Sequence, residues 1–104
     1  MTLTLASRRD ADTVIVTVGG DVDLATAELL EREIVGVVGG NDAAIVVDLT
    51  EVTFIDSAGI SVLLRGRRLA DDNAKRYRVV GAAGIVRQVL DMTGVWAHLS
   101  GQSG

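Results

Sequence analysis

The hydrophobic and polar positions change period several times along the chain. Leu3 to Arg8 alternates, with Leu3, Leu5 and then Ser7 on one side, as a short strand does. Asp10-Ala11-Asp12 is a turn signal. Beyond it Val14, Val16 and Val18 share one face and Ile15 and Thr17 the other, so the two runs predict an antiparallel hairpin. Gly19-Gly20 is expected to break the second strand. From about Ala25 to Val38 the period lengthens: Ala27, Leu30, Ile34 and Val37 recur at helical steps and form one buried stripe. Asp23 is placed to cap this helix, with Glu28 and Glu31 near the positive end of its dipole, and Gly39-Gly40-Asn41 ends it.

Ala43 to Val47 is apolar without alternation, as in a central strand covered on both faces. Asp48 to Thr53 is expected to connect this strand to the next motif, with Phe54 and Ile55 packed beneath it. A helix is predicted from Ser57 or Ala58 to Ala70, closed by Asp71-Asp72-Asn73. It is followed by a strand over Arg76 to Val80 and a helix from about Ala83 to Met92. Ile85, Val86, Val89 and Leu90 form the inner face of that last helix, and Gly94 follows its end. Val95 to Leu99 is expected as a short strand or extended segment. The order of strands and helices predicts an α/β fold: a mixed, mostly parallel sheet with an N-terminal antiparallel hairpin and crossover helices packed on it.

The helix after Ser57 has two apolar faces. A 100° step groups Gly59, Val62, Leu63, Gly66, Leu69 and Ala70 as a core stripe, whose glycines let the helix lie close to the sheet. Ile60 and Leu64 fall on a different face, beside Ser57, Ser61 and Arg68. Two outward aliphatics there suggest a docking patch. A wider core stripe that takes both residues in is the competing explanation.

Composition narrows the chemistry. The 104 residues suit one domain, with an ordered core over about 3–99 and a flexible tail over 100–104. There is no cysteine and one histidine, His98, which removes disulfides, thiolate catalysis and thiolate metal sites. Aromatics are 3% and the net charge is -4, so neither stacking platforms nor a basic surface for nucleic acid is available. No apolar run is long enough to span a membrane and no signal-peptide pattern opens the chain, which predicts a cytoplasmic protein. Arg65, Arg67, Arg68, Lys75, Arg76 and Arg78 make up one basic cluster, either a solvated surface or a patch for an acidic partner.

Asp56-Ser57 stands where a strand hands over to a helix. Unpaired N–H groups at a helix start favour negative charge, so a hydroxyl there is a place for a phosphate. Simple capping is the alternative. Phosphate would add nearly two negative charges close to Asp56, and to Asp21 and Asp23 if their loop lies alongside. The fold would tolerate that charge and a carboxylate-bearing partner would not. Other chemistries lack their parts. Ile55 occupies the glycine position a nucleophile elbow requires before its serine, and neither Gly19-Gly20-Asp21 nor Gly81-Ala82-Ala83-Gly84 has a phosphate-loop ending. Asp21 and Asp23, two residues apart, are weak evidence for a metal site; capping and solvation account for them better. No cofactor is expected.

These residues resemble the anti-sigma factor antagonist family, single STAS domains of bacteria. Gly20-Asp21-Val22-Asp23 with Thr26-Ala27 is similar to the loop ahead of the family's first helix. Phe54-Ile55-Asp56-Ser57-Ala58-Gly59-Ile60 is similar to its phosphorylation segment, and Leu90-Asp91-Met92-Thr93-Gly94-Val95 to a segment near its end. The resemblance implies a binder and kinase substrate, not an enzyme. A serine-kinase anti-sigma factor would phosphorylate Ser57 with ATP, and a metal-dependent phosphatase would restore it. The unmodified form would hold the anti-sigma factor and free the sigma factor. The partner surface expected on this basis is Asp21, Asp23, Asp56, Ser57, Ile60, Ser61, Leu64 and Arg68. An accessory subunit of a lipid ABC transporter, binding without phosphorylation, is the alternative within the same domain type. Two departures stand out. Ala58 replaces a second hydroxyl residue common in the family, and a final helix is missing after Leu99, which would leave one sheet face less covered or allow a homodimer.

Overall fold

The computed structural model describes residues 2–100. Four strands form one sheet in the order β1-β2-β3-β4: β1 (Leu3–Asp10), β2 (Thr13–Val22), β3 (Ala44–Ile55) and β4 (Arg76–Val80). β1 pairs antiparallel with β2, and β2, β3 and β4 run parallel. The helices are α1 (Ala27–Val38), α2 (Ser57–Asp72), α3 (Gly84–Met92) and α4 (Trp96–Leu99). The hairpin and the mixed, mostly parallel sheet are as expected.

Four expectations about these elements are corrected. Gly19-Gly20 does not end β2; the strand runs on to Val22 with irregular register on either side of the glycine pair. That extension supplies backbone partners for Glu51 to Ile55, so Asp48 to Thr53 is strand and not connection. Thr50, Glu51 and Thr53 face solvent while Leu49, Val52 and Ile55 are buried, a pattern that imitates a loop because the strand is irregular. Phe54 is 44% exposed and is not packed beneath the motif, while Ile55 is buried as expected. Val95 to Leu99 is not extended: α4 covers Trp96 to Leu99 and buries Leu99 completely.

The sheet is covered on one face. Val14, Val16 and Val18 on β2, Ile45, Val47 and Leu49 on β3, and Tyr77 and Val79 on β4 are buried among the helices. The alternate positions Ile15, Thr17, Val46, Asp48 and Val80 are only partly buried. β3 therefore does not have both faces covered, although its sequence lacks alternation. On the covered face α1 and α2 pack together, and α4 lies against α2 and β4.

In the core stripe of α2, Gly59, Val62, Leu63, Gly66 and Ala70 are buried as read, and Leu69 is half-buried at its edge. A Cβ on Gly66 would come within 2.6 Å of the Tyr77 hydroxyl, which donates to the Leu63 carbonyl at 2.9 Å. Burial pushes the Tyr77 phenol above its usual range. In α1 the buried stripe is Ala27, Leu30, Ile34 and Val38, with Val37 half-buried. In α3, Val86 and Leu90 face inward but Ile85 is 63% exposed, a further correction. Gly94 follows α3 in the left-handed region, at φ 73°.

Candidate functional site

Ser57 is the first residue of α2, and Asp56 is its cap. Asp56 is extended at φ -118° and ψ -172°, and its Oδ1 accepts the N–H groups of Ala58 at 2.9 Å and Gly59 at 3.2 Å. Its own N–H donates to the Val22 carbonyl at 3.1 Å, which ties the helix start to the end of β2. Gly59 makes this seating possible, since a Cβ there would meet Val22 Cγ1 at 2.6 Å and Ile55 Cγ1 at 2.8 Å. The Ser57 side chain is exposed, and among the described residues it takes part in no hydrogen bond.

The loop ahead of α1 lies alongside, because Val22 pairs with Ile55 and Asp21 with Phe54. Asp21 is half-buried and accepts from the Thr53 hydroxyl at 3.3 Å. Asp23 is 6% exposed. Its Oδ1 accepts from Ala25 N at 3.0 Å, Thr26 N at 3.1 Å and Thr26 Oγ1 at 3.2 Å, while Oδ2 is buried without a partner among the described residues. Asp23 thus caps the turn preceding α1 and not the helix proper, which begins at Ala27. It offers a partner no accessible carboxylate.

The predicted docking face is divided. Ile60 is 9% exposed and belongs to the core, so its outward placement is corrected: the buried stripe of α2 is wide enough to include it. Ser61, Leu64 and Arg68 do lie outside. They line a groove of about 520 Å³ between α1 and α2 with Ala27, Glu31, Ala58, Val62 and Arg65. Arg65 bridges the two helices through Glu31 at 2.6 Å. Leu24, 82% exposed, stands just before α1. Ala27, Glu31 and Arg65 are further groove residues: Arg65 lies one turn from Ser61 and Arg68 on α2, while only the pairing of α1 with α2 brings Ala27 and Glu31 to it. The signal within reach was the spacing of Ala27 and Glu31, one turn apart on one face of α1.

The basic cluster is dispersed. Arg67 pairs with Asp71 at 3.3 Å and also reaches the His98 carbonyl, Arg76 pairs with Asp12 at 3.4 Å, and Lys75 reaches the Gly40 carbonyl. Arg78 stands on the opposite face of the sheet from the groove. Among the described residues there is no group of three or more His, Cys, Asp or Glu able to hold a metal ion. No helix among them is long and apolar enough to cross a membrane.

A family model described as "Mlab, STAS domain" matches residues 5–99. The anti-sigma-F factor antagonist RsfB of Mycobacterium tuberculosis is 30% identical over 95 residues, which are 91% of this chain and 75% of RsfB. An anti-sigma-B factor antagonist of Staphylococcus epidermidis is 25% identical over 95 residues, 91% of this chain and 88% of its own length. The crystal structure of an anti-sigma factor antagonist from Mycobacterium paratuberculosis superposes with a TM-score of 0.84 at 28% identity, over 94% of this chain and 83% of that one. With a matching model over almost its whole length, and relatives that are anti-sigma factor antagonists, the chain belongs to the STAS domain family.

Proposed function

We propose that this protein is an anti-sigma factor antagonist, acting in the cytoplasm as a binder and kinase substrate with no catalysis of its own. Unphosphorylated, it binds a serine-kinase anti-sigma factor and so releases a sigma factor. Phosphorylation of Ser57 turns binding off, and a metal-dependent phosphatase reverses it. The observation that carries this reading is the Ser57 hydroxyl, exposed and without a hydrogen bond among the described residues at the start of a sixteen-residue helix. The helix start accepts a phosphate electrostatically, and Asp56 already caps Ala58 and Gly59, so added charge leaves the fold standing. The same phosphate brings about two negative charges to the rim of the groove, beside Asp56 and Asp21. A partner carboxylate approaching this rim is repelled.

The contact surface on this reading is Ser57, Ser61, Leu64 and Arg68, with Asp21 and the exposed Leu24 beside them. Asp23, Asp56 and Ile60 hold that surface in place from beneath. In a binding assay with a kinase-type anti-sigma factor, Ser57→Ala should bind as the unmodified protein does and resist phosphorylation. Ser57→Asp should bind at least about tenfold more weakly, a difference of roughly 1.4 kcal/mol. Mass spectrometry after incubation with the kinase and ATP should place one phosphate on Ser57. Equal binding by the two variants sinks the switch. Finding neither binding to the anti-sigma factor nor modification of Ser57 would instead fit the transporter accessory subunit.

A further inference from the structure

The two edges of the sheet are built differently. β4 is five residues long and turns Arg76 and Arg78 to solvent, as edges that resist further pairing do. β1 is eight residues long, has no proline and pairs with β2 in one unbroken register. Its charges are confined to its last three residues, Arg8, Arg9 and Asp10, so Leu3 to Ser7 is a neutral edge. Among the described residues no strand lies beyond it. Asp21 N donates to the Thr2 carbonyl at 3.0 Å in the same register, which fixes the alternation of the ladder. Thr4, Ala6 and Arg8 therefore turn their backbone groups to β2, while Leu3, Leu5, Ser7 and Arg9 turn theirs outward.

The helix-covered face beside this edge is not full. A cleft of about 350 Å³ is lined by Ser7, Arg9 and Val14 on the strands and by Gly36, Val37 and Gly40 at the end of α1. A Cβ on Gly36 would meet nothing within 4 Å, so packing within one copy does not require glycine there. The residue costs α1 about 1 kcal/mol against alanine and keeps that wall of the cleft bare. Charges at the cleft are engaged: Arg9 pairs with Asp42 at 2.8 Å, and the Ser7 hydroxyl donates to Glu33 at 2.5 Å.

We propose that β1 pairs antiparallel with β1 of a second copy, joining the two sheets edge to edge across a two-fold axis at Ala6. In this register Leu5 stands opposite Ser7 of the second copy and Leu3 opposite its Arg9. The half-buried leucines of each copy then flank the cleft of the other, and every outward backbone group from Leu3 to Arg9 finds a partner. Ala6 meets Ala6 at a non-hydrogen-bonded position, where the chains come closest and small side chains fit. Arg8 faces Thr4, so no like charges are opposed. Other registers are poorer. Centred on Arg8, arginine opposes arginine; centred on Ser7, Leu3 falls opposite the turn residue Ala11; centred on Leu5, Arg9 runs past the start of the strand. α1 packs on β2, so the two α1 helices stand three strand spacings apart, about 14 Å, and do not collide. The α1–α2 groove lies on the other flank of α1, so the inference stands apart from the antagonist reading.

The test measures self-association of the full chain by sedimentation equilibrium. The parent should dimerise reversibly at submillimolar concentration. Ala6 is exposed, so Ala6→Lys and Ala6→Glu should each keep the native circular dichroism spectrum. Each alone should dimerise at least about tenfold more weakly, through like-charge repulsion across the axis, and an equal mixture of the two should recover the parent's association. The chain has no cysteine, so Ala6→Cys supplies one thiol per copy. Oxidation with diamide should link it into disulfide dimers, while Arg78→Cys on the far edge stays monomeric. A parent that is monomeric at millimolar concentration overturns the proposal. So do dimers indifferent to the Ala6 charges, a mixture that fails to recover, or equal cross-linking of the two cysteine variants, each of which places the contact away from β1.

Discussion

The chain uses an aspartate beside a hydroxyl residue twice, and the two places differ in what the hydroxyl does. Val22-Asp23 ends β2 and Ile55-Asp56 ends β3, and Val22 and Ile55 are paired across the sheet. Each aspartate accepts two backbone N–H groups through Oδ1. At the first place the hydroxyl is Thr26, 7% exposed, which donates to the Asp21 carbonyl at 2.8 Å and accepts from Asp23 N at 3.0 Å. At the second it is Ser57, exposed and without such bonds. One hydroxyl is consumed by the fold and the other is left over. A residue the fold does not need is one a kinase can change, and that distinguishes the switch candidate from its structural twin.

The largest effect expected from breaking the symmetry is at the third helical positions. Gly59→Ala would press a methyl into the buried side chains of Val22 and Ile55 and should cost about 2–3 kcal/mol, even after the roughly 1 kcal/mol that alanine gains over glycine in a helix. Leu29→Ala, the corresponding position of α1 and 49% exposed, should change stability by less than about 0.5 kcal/mol. Urea unfolding monitored by circular dichroism separates the two, and a similar loss in both would show that the starts of α1 and α2 are seated alike. Next comes Thr26→Val, which leaves buried backbone groups of Asp21 and Asp23 without their partner and should cost about 1–2 kcal/mol. Asp56→Ala removes a half-buried cap, with a cost of about 1 kcal/mol in the same denaturation experiment. Ser57→Ala should fall within about 0.5 kcal/mol of the parent while abolishing phosphate incorporation. A loss as large as that of Thr26→Val would mean that Ser57 is structural after all.

Much of the architecture could be read from periodicity because each element meets the same kind of neighbour along its length. Val14, Val16 and Val18 alternate against helices throughout, and Gly59, Val62, Leu63, Gly66 and Ala70 keep one side of α2 to the core. The misreadings fall where the environment changes within an element. β3 lacks alternation at Ala44 to Val47 although one face is open, and its second half carries Thr50, Glu51 and Thr53, polar residues of the kind found in loops. What holds that half as strand is pairing with Gly19 to Val22, a partner distant in sequence. Ile60 shows the same limit at the site. Its angular position sets it apart from the core stripe, but the core cluster takes it in.

Local chemistry is enough to place a helix start at Asp56 and Ser57. An aspartate whose carboxylate reaches the next two or three N–H groups depends only on neighbouring residues, and the negative-charge preference of a helix start follows from backbone geometry. Whether the hydroxyl is spent or free, which aliphatic points outward, and how α1 joins α2 in one groove were decided by packing. These depend on which surfaces meet, and that is a property of residues tens of positions apart: Glu31 with Arg65, and Val22 with Ile55.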